Sequence, residues 1–307
     1  MSERGMRAGS GSDLASELGA FGGDFESSHK SLCKYIGVRR SLKDTIDEAK
    51  SSLQERNNSD KKNGVTYGLF GSSGCGKSTL LRKVFVEEIY DNGRVLDAEE
   101  EYLTVFYTGS KHSDALYGMG EGDHGCGNGA VVDTGGMDPD IYKWMYEMNY
   151  RYDKKFNYVV MMDDVLGVKS LPVIFKAFLT YRNMNITSVV SLQYLKLCPL
   201  AVRTSLYFVI LMPSNSREGV EQIVRGYMGM YLKGKNINEK MSAYDALTRD
   251  YCFFMVDNLN RKCYHVKGDY TCVELKPCFQ EEDWRETKRS GTGGGEGDMV
   301  LEGDVMG

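Results

Sequence analysis

The chain has 307 residues, 41% hydrophobic and 26% charged, with a formal net charge of −5, an ordinary globular composition with enough apolar residues for a sizeable core. The acidic balance excludes a polycation that grips nucleic acid by bulk charge, so any such contact needs a local basic surface. No apolar run approaches the roughly 20 residues that span a bilayer, and the opening MSERGMRAGSGSDLASELGAFGG holds no apolar block of signal-peptide type, so no membrane partner is expected and the chain should stay where it is made.

Residues 1–29 are rich in Gly and Ser, and residues 286–307 form a Gly-rich acidic tail. Both are expected to be disordered because neither has enough apolar surface to offset the entropy of ordering. A single domain is expected between them, over residues 30–285. Inside it, SSLQERNNSDKKN at 51–63 reads as a polar break before the first strong strand, VTYGLF at 65–70. STLLRKVFVEEIY at 78–90 has apolar residues at helical spacing, and YLTVFYTGS is a second strand. GMGEGDHGCGNGAVVDTGGMDPD at 118–140 reads as a long Gly-rich loop, the kind that inside a domain is usually functional. DIYKWMYEMNYRY is a helix, NYVVMMDD a buried strand, and SLPVIFKAFLTYRN a helix with Pro in its first turn. NITSVVSLQ is a strand, CPLAVRT a short helix and SLYFVILM a strand; SREGVEQIVRGYM and INEKMSAYDALTRD are helical, and YCFFMVDN and KCYHV close the domain as strands. Continuous apolar strands alternating with amphipathic helices predict an α/β fold with a mostly parallel sheet flanked by helices. The eight cysteines include no Cys-x-x-Cys pair, and those near the C-terminus do not follow zinc-finger spacing.

The chemistry begins at residues 71–79. Gly71, Ser72, Ser73, Gly74, Cys75, Gly76, Lys77 and Ser78 satisfy GxxxxGK[ST], the Walker A phosphate loop, with Thr79 following. Glycines let consecutive backbone N–H groups turn toward phosphates, and the helix that opens at Lys77 adds its positive end. Lys77 can reach the β- and γ-phosphates of ATP, and the Ser78 hydroxyl can ligate Mg²⁺. Thr79 either assists through its hydroxyl or packs.

Such a loop needs an acid on a neighbouring strand. Asp163 and Asp164 end the apolar run YVVMM, at the strand end where ligands bind in open α/β sheets. This is the expected Walker B position. Asp163 is expected to hold Mg²⁺ directly or through its water. Asp164 either polarises the attacking water or caps the following turn.

No NKxD motif supports a GTPase, no LSGGQ supports a transporter ATPase, and no Arg-rich lid is evident. Gln193 ends the strand expected beside that of Asp163, where a neutral amide can hold water or sense the γ-phosphate without competing for the metal. Arg182 lies before that same strand, at its far end, and suits a finger donated to a neighbouring subunit.

The order of these parts, continued by Pro199, Arg203 and another apolar strand, resembles the HerA–FtsK superfamily of DNA-pumping ATPases. Within it, RNMNITSVVSLQYLKLCPLAVRTSLYFVILMPSNSREGVEQI and RDYCFFMVDNLNRKCYHVK are similar to the poxvirus-type genome-packaging ATPases of large DNA viruses and their relatives. The resemblance covers residues 64–267 and is most specific over 158–220. It implies a RecA-like P-loop NTPase of the ASCE class. It also implies an ATP-driven ring that threads double-stranded DNA into a preformed capsid at a viral assembly site, with a capsid vertex protein as a further partner. Phosphate binding would fall to Gly76, Lys77 and Ser78, metal binding to Ser78 and Asp163, and water activation to Asp164. Gln193 would be the sensor, Arg182 the finger acting in trans and Arg203 the second choice for it. Asp164 stands where many members carry Glu, and residues 30–63 carry no sign of a large membrane-anchoring domain. For DNA contact the basic candidates are Lys111, Lys169, Arg225, Lys233 and Lys235. The competing reading is a phosphotransferase acting on a nucleoside or other small acceptor, with 118–140 as its lid and Arg182 or Arg203 acting in cis. A third is a nucleotide-gated assembly scaffold with negligible turnover.

Overall fold

A ten-stranded sheet organises the chain, in the order β1-β10-β9-β8-β7-β2-β6-β5-β3-β4. The computed structural model describes residues 32–56, 63–82, 85, 102–108, 129–133, 139–163 and 178–278. The strands are β1 (Lys34–Ser41), β2 (Thr66–Phe70), β3 (Tyr102–Thr108), β4 (Gly129–Asp133), β5 (Asn157–Asp163), β6 (Ile186–Leu192), β7 (Phe208–Leu211), β8 (Phe253–Asp257), β9 (Lys262–Val266) and β10 (Thr271–Lys276). From β7 to β4 all neighbours run parallel, and β8, β9, β10 and β1 extend the β7 edge as an antiparallel run. The helices are α1 (Leu42–Arg56), α2 (Lys77–Leu80), α3 (Pro139–Arg151), α4 (Leu200–Ser205), α5 (Arg217–Ile223) and α6 (Ile237–Leu247).

The parallel strands β2, β5, β6 and β7 are buried along their whole length, as continuous apolar runs should be when both sheet faces are covered. Two clusters of buried side chains mark those faces. One holds Tyr142 and Met145 of α3, Val202 of α4, Val220 of α5 and Tyr244 of α6, packed on Val160, Val190 and Val209. The other holds Leu42 and Ile46 of α1 and Leu80 of α2, packed on Leu69, Met161 and Ile210. Each fully buried large apolar side chain contributes about 1.5–3 kcal/mol.

Two segments differ from the sequence expectation. Residues 51–56 belong to helix α1 rather than to a break, because Leu42, Ile46, Ala49 and Leu53 form a buried stripe and Ser41 Oγ accepts the Asp44 N–H at 3.0 Å as an N-cap. Residues 129–133, inside the expected Gly-rich loop, form β4 along the β3 edge; the two glycines beside GAVVD hide a short strand from a composition reading. Strands β1 and β10, for which the sequence reading gives no element, complete the far antiparallel edge, where one sheet face can meet water. The rest of 118–140 except Pro139 and Asp140, the two termini, and most of the expected helices at 78–90 and 170–183 lie outside the described residues.

The lower edge of the sheet, where the parallel strands begin, is tied by buried amides. Asn149 Nδ2 donates to the carbonyls of Phe156 at 2.9 Å and Met184 at 2.6 Å, and its Oδ1 accepts the Phe156 N–H at 3.0 Å. Asn185, in left-handed backbone at φ 56°, donates to the Phe156 carbonyl and to Asn157 Oδ1. Gly64 sits at the same edge: its N–H donates to the Arg182 carbonyl at 2.8 Å, and a Cβ there would lie 2.0 Å from the Ile186 carbonyl oxygen. Gly64→Ala is therefore expected to cost about 1–3 kcal/mol or more, because backbone cannot yield as a side-chain tip does. A lowered urea midpoint at unchanged slope would measure it.

Candidate nucleotide site

The loop between β2 and α2 is held on both flanks. Gly71 N–H donates to the Leu192 carbonyl at the end of β6, and Ser72 N–H to the Pro213 carbonyl beyond β7. Ser72 Oγ accepts the Asn215 N–H at 2.7 Å. Gly74 and Gly76 have φ of 78° and 96°, the left-handed region that side-chain-bearing residues rarely adopt. Gly71 is glycine for space, since a Cβ would meet Cys75 Sγ and Met212 Cβ at 2.8 Å.

Lys77 is buried and folds back on the loop, its Nζ donating to the carbonyls of Gly71 at 2.6 Å and Ser72 at 2.8 Å. Burial pushes the Cys75 thiol up, opposed by the neighbouring Lys77 ammonium. Ser78 Oγ donates to Asp163 Oδ2 at 2.6 Å, joining the start of α2 to the end of β5. Asp163 is itself buried. A hydroxyl and a carboxylate in contact are hard oxygen donors of the kind Mg²⁺ takes, the remaining positions being left to water and phosphate. This pair therefore fits the metal.

Strand β6 lies between β2 and β5, with Leu192 beside Phe70 and Ser191 beside Asp163. Gln193, half-buried and next after β6, stands at the same sheet edge as the loop. A phosphate loop, an acid two strands away and a polar residue on the strand between them are now in one place. The fold is that of a P-loop NTPase.

Arg182 lies at the other end of β6. Its carbonyl is bound by Gly64 ahead of β2, so the seven-residue strand separates it from the phosphate loop by roughly 20 Å at about 3.3 Å per residue. Its guanidinium carbon sits 5.3 Å from the centre of the Tyr207 ring, and its Nε is buried with no hydrogen-bond partner among the described residues. That distance removes the role in cis that a phosphotransferase reading would give it. Arg203 is half-buried on α4, on the sheet face opposite α2. Its charge opposes the rise that burial causes in Cys198 and Tyr227, both pushed up to about 12.

Thr79 is exposed and does not pack into the core. Asp164, Lys111 and Lys169 lie outside the described residues. Arg225 is paired with Glu221 at 2.8 Å, and Lys233 and Lys235 are exposed. Sequence reasoning missed the buried amides of Asn149 and Asn185 that tie the lower sheet edge, and two tyrosines, Tyr251 and Tyr270, that flank the phosphate loop. Neither set has a local signal, because each is assembled from segments far apart in the chain. Among the described residues no helix is long and apolar enough to cross a membrane.

A family model described as "ABC transporter" matches residues 55–155 of this P-loop NTPase, a span that contains the phosphate loop and stops before β5. Among solved structures, the chain is similar to the DNA-packaging ATPase B204 of Sulfolobus turreted icosahedral virus, at 16% identity and TM-score 0.44, over 71% of this chain and 100% of that one. B204 of Sulfolobus turreted icosahedral virus 2 in complex with AMPPCP gives 15% and 0.42, over 71% and 99%. EssC (ATPases 2 and 3) from Geobacillus thermodenitrificans gives 15% and 0.37, over 73% and 42%. No curated protein matches in sequence.

Proposed function

We propose that this P-loop NTPase is an ATP-hydrolysing translocase of double-stranded DNA that packages a viral genome into a preformed capsid, working as a homo-oligomeric ring. The observation that carries the ring is the separation of Arg182 from the phosphate loop along β6. A cation seated at one end of the sheet can serve catalysis only at another subunit's nucleotide. The cargo follows from the resemblance of residues 158–220 to packaging motors of the HerA–FtsK superfamily.

In this reading the loop's N–H groups and Lys77 bind the ATP phosphates, Lys77 exchanging the Gly71 and Ser72 carbonyls for phosphate oxygens. Ser78 and Asp163 would hold Mg²⁺, which when bound would neutralise phosphate charge. Gln193 orients the attacking water at the tip of β6, and Asp164 polarises it. A neighbour's Arg182 then stabilises the charge that develops on the transferred phosphoryl group. Because β6 carries Gln193 at one end and Arg182 at the other, it links one subunit's nucleotide to the next subunit's site through rigid, fully buried backbone.

The test is ATP turnover measured with and without double-stranded DNA, alongside the mass of the assembly. Stimulation by DNA in an oligomer is the expected result. DNA-independent hydrolysis by a strict monomer overturns the motor, and phosphate moved to an acceptor other than water selects a phosphotransferase instead.

A further inference from the structure

A cavity of about 300 Å³ opens beside the phosphate loop, lined by Gly76, Thr79, Met212, Tyr251, Gly268 and Tyr270 among others. It lies on the β7–β8 side of β2, whereas Asp163 and Gln193 lie on the β5–β6 side. A nucleoside triphosphate is a linear molecule. With its terminal phosphate at Asp163 and its chain over the loop, its base falls on the cavity side.

Tyr251 is set by the backbone, and Tyr270 by its backbone and by packing against the core. Asp250 and Tyr251 have consecutive φ of 54° and 59°, and Tyr270 has φ of 63°. Positive φ at a bulky residue costs of order 1–3 kcal/mol and persists where the surroundings impose it. The turn is braced by Cys252 N–H donating to the Arg249 carbonyl and by Gly268, whose Cβ would lie 2.9 Å from the Asp250 carbonyl oxygen. The result is a Tyr251 side chain that is 69% exposed, yet so close to the loop that a Cβ on Gly76 would touch its Cδ1 at 3.4 Å.

The geometry points to Tyr251, with Tyr270, as a stacking platform for the nucleobase, supplied by the antiparallel extension rather than by the parallel core. This rests on the nucleotide-binding part of the proposed function and names how the base is held. Among the described residues the lining offers hydroxyls and a thiol but no carboxylate, amide or guanidinium side chain. The base is therefore held by its π-face, which every base has, and not read at its edge. Strong discrimination requires a polar site that an incorrect base would leave unpaired, so ATP and GTP bind with affinities within about tenfold of each other.

The experiment is a binding titration of full-length protein with fluorescent ATP and GTP analogues and with tripolyphosphate as competitor. Tyr251→Asn removes the ring but keeps a residue that tolerates left-handed backbone, and Tyr251→Phe keeps the ring. The expected result is that Tyr251→Asn weakens both nucleotides by roughly 5- to 150-fold, leaves tripolyphosphate unchanged, and that Tyr251→Phe binds as the parent does. Unchanged nucleotide affinity in Tyr251→Asn, or equal weakening of tripolyphosphate, overturns the platform. A preference above about tenfold for ATP over GTP overturns face-only recognition. None of these readouts needs hydrolysis or DNA, so a failed motor and a failed platform give separate results.

Discussion

Arg182→Ala is expected to bind ATP normally and to lose hydrolysis by about 10³- to 10⁵-fold, the range for removing an arginine finger. The loss should be repaired by mixing with Lys77→Ala. Each Arg182→Ala subunit keeps an intact loop, each Lys77→Ala subunit keeps an intact finger, and random mixing rebuilds about a quarter of the sites at heterologous interfaces. Recovery on mixing identifies a residue acting across subunits, since a residue needed only for folding cannot be supplied by a neighbour. The contact of the Arg182 guanidinium with Tyr207 makes some loss of stability in Arg182→Ala possible to measure separately, by its urea midpoint. If mixing restores nothing while Arg203→Ala complements Lys77→Ala, the finger is Arg203.

The second large effect is at Lys77. Lys77→Ala is expected to lower turnover by at least 10²- to 10³-fold, comparable to removing one preorganised donor from a developing negative charge. The Lys77 ammonium is buried and bonded to the Gly71 and Ser72 carbonyls, so its loss also leaves those carbonyls without their donor. The loop remains tied to β6 and to the segment after β7 through Gly71 and Ser72, so the fold should survive. Phosphate release assayed with excess Mg²⁺ and DNA checks the prediction, and turnover within tenfold of the parent would exclude Lys77 from the reaction.

The two residues, Arg182 and Lys77, lie at opposite ends of the sheet, joined by β6, whose last residue binds the loop through Gly71. Gln193 follows the upper end of β6, at the same sheet edge as the phosphate loop, and Arg182 sits at its foot, its carbonyl bound by the Gly64 N–H. A strand buried on both faces and hydrogen-bonded on both edges shifts as a body. In the proposed ring, movement at one nucleotide would therefore reach the next subunit without a hinge inside β6.

The sequence by itself determined the phosphate loop, the acid at the end of β5 and the parallel core. Each is written in neighbouring residues: glycines at fixed spacing ahead of Lys77 and Ser78, an unbroken apolar run ending in Asp163, and apolar strands separated by helical periods. Local backbone and burial physics are enough to read them. Only the tertiary structure decided the rest. That β6 inserts between β2 and β5 depends on sheet order, which strand composition does not encode. That residues 34–41 and 271–276 join the sheet at its far edge depends on pairing across more than 200 residues. The same holds for the platform, because Tyr251, Tyr270 and Gly76 meet only when the antiparallel extension folds beside the loop. A stacking surface has no residue spacing of its own. It exists only as a distance between segments that the chain keeps far apart.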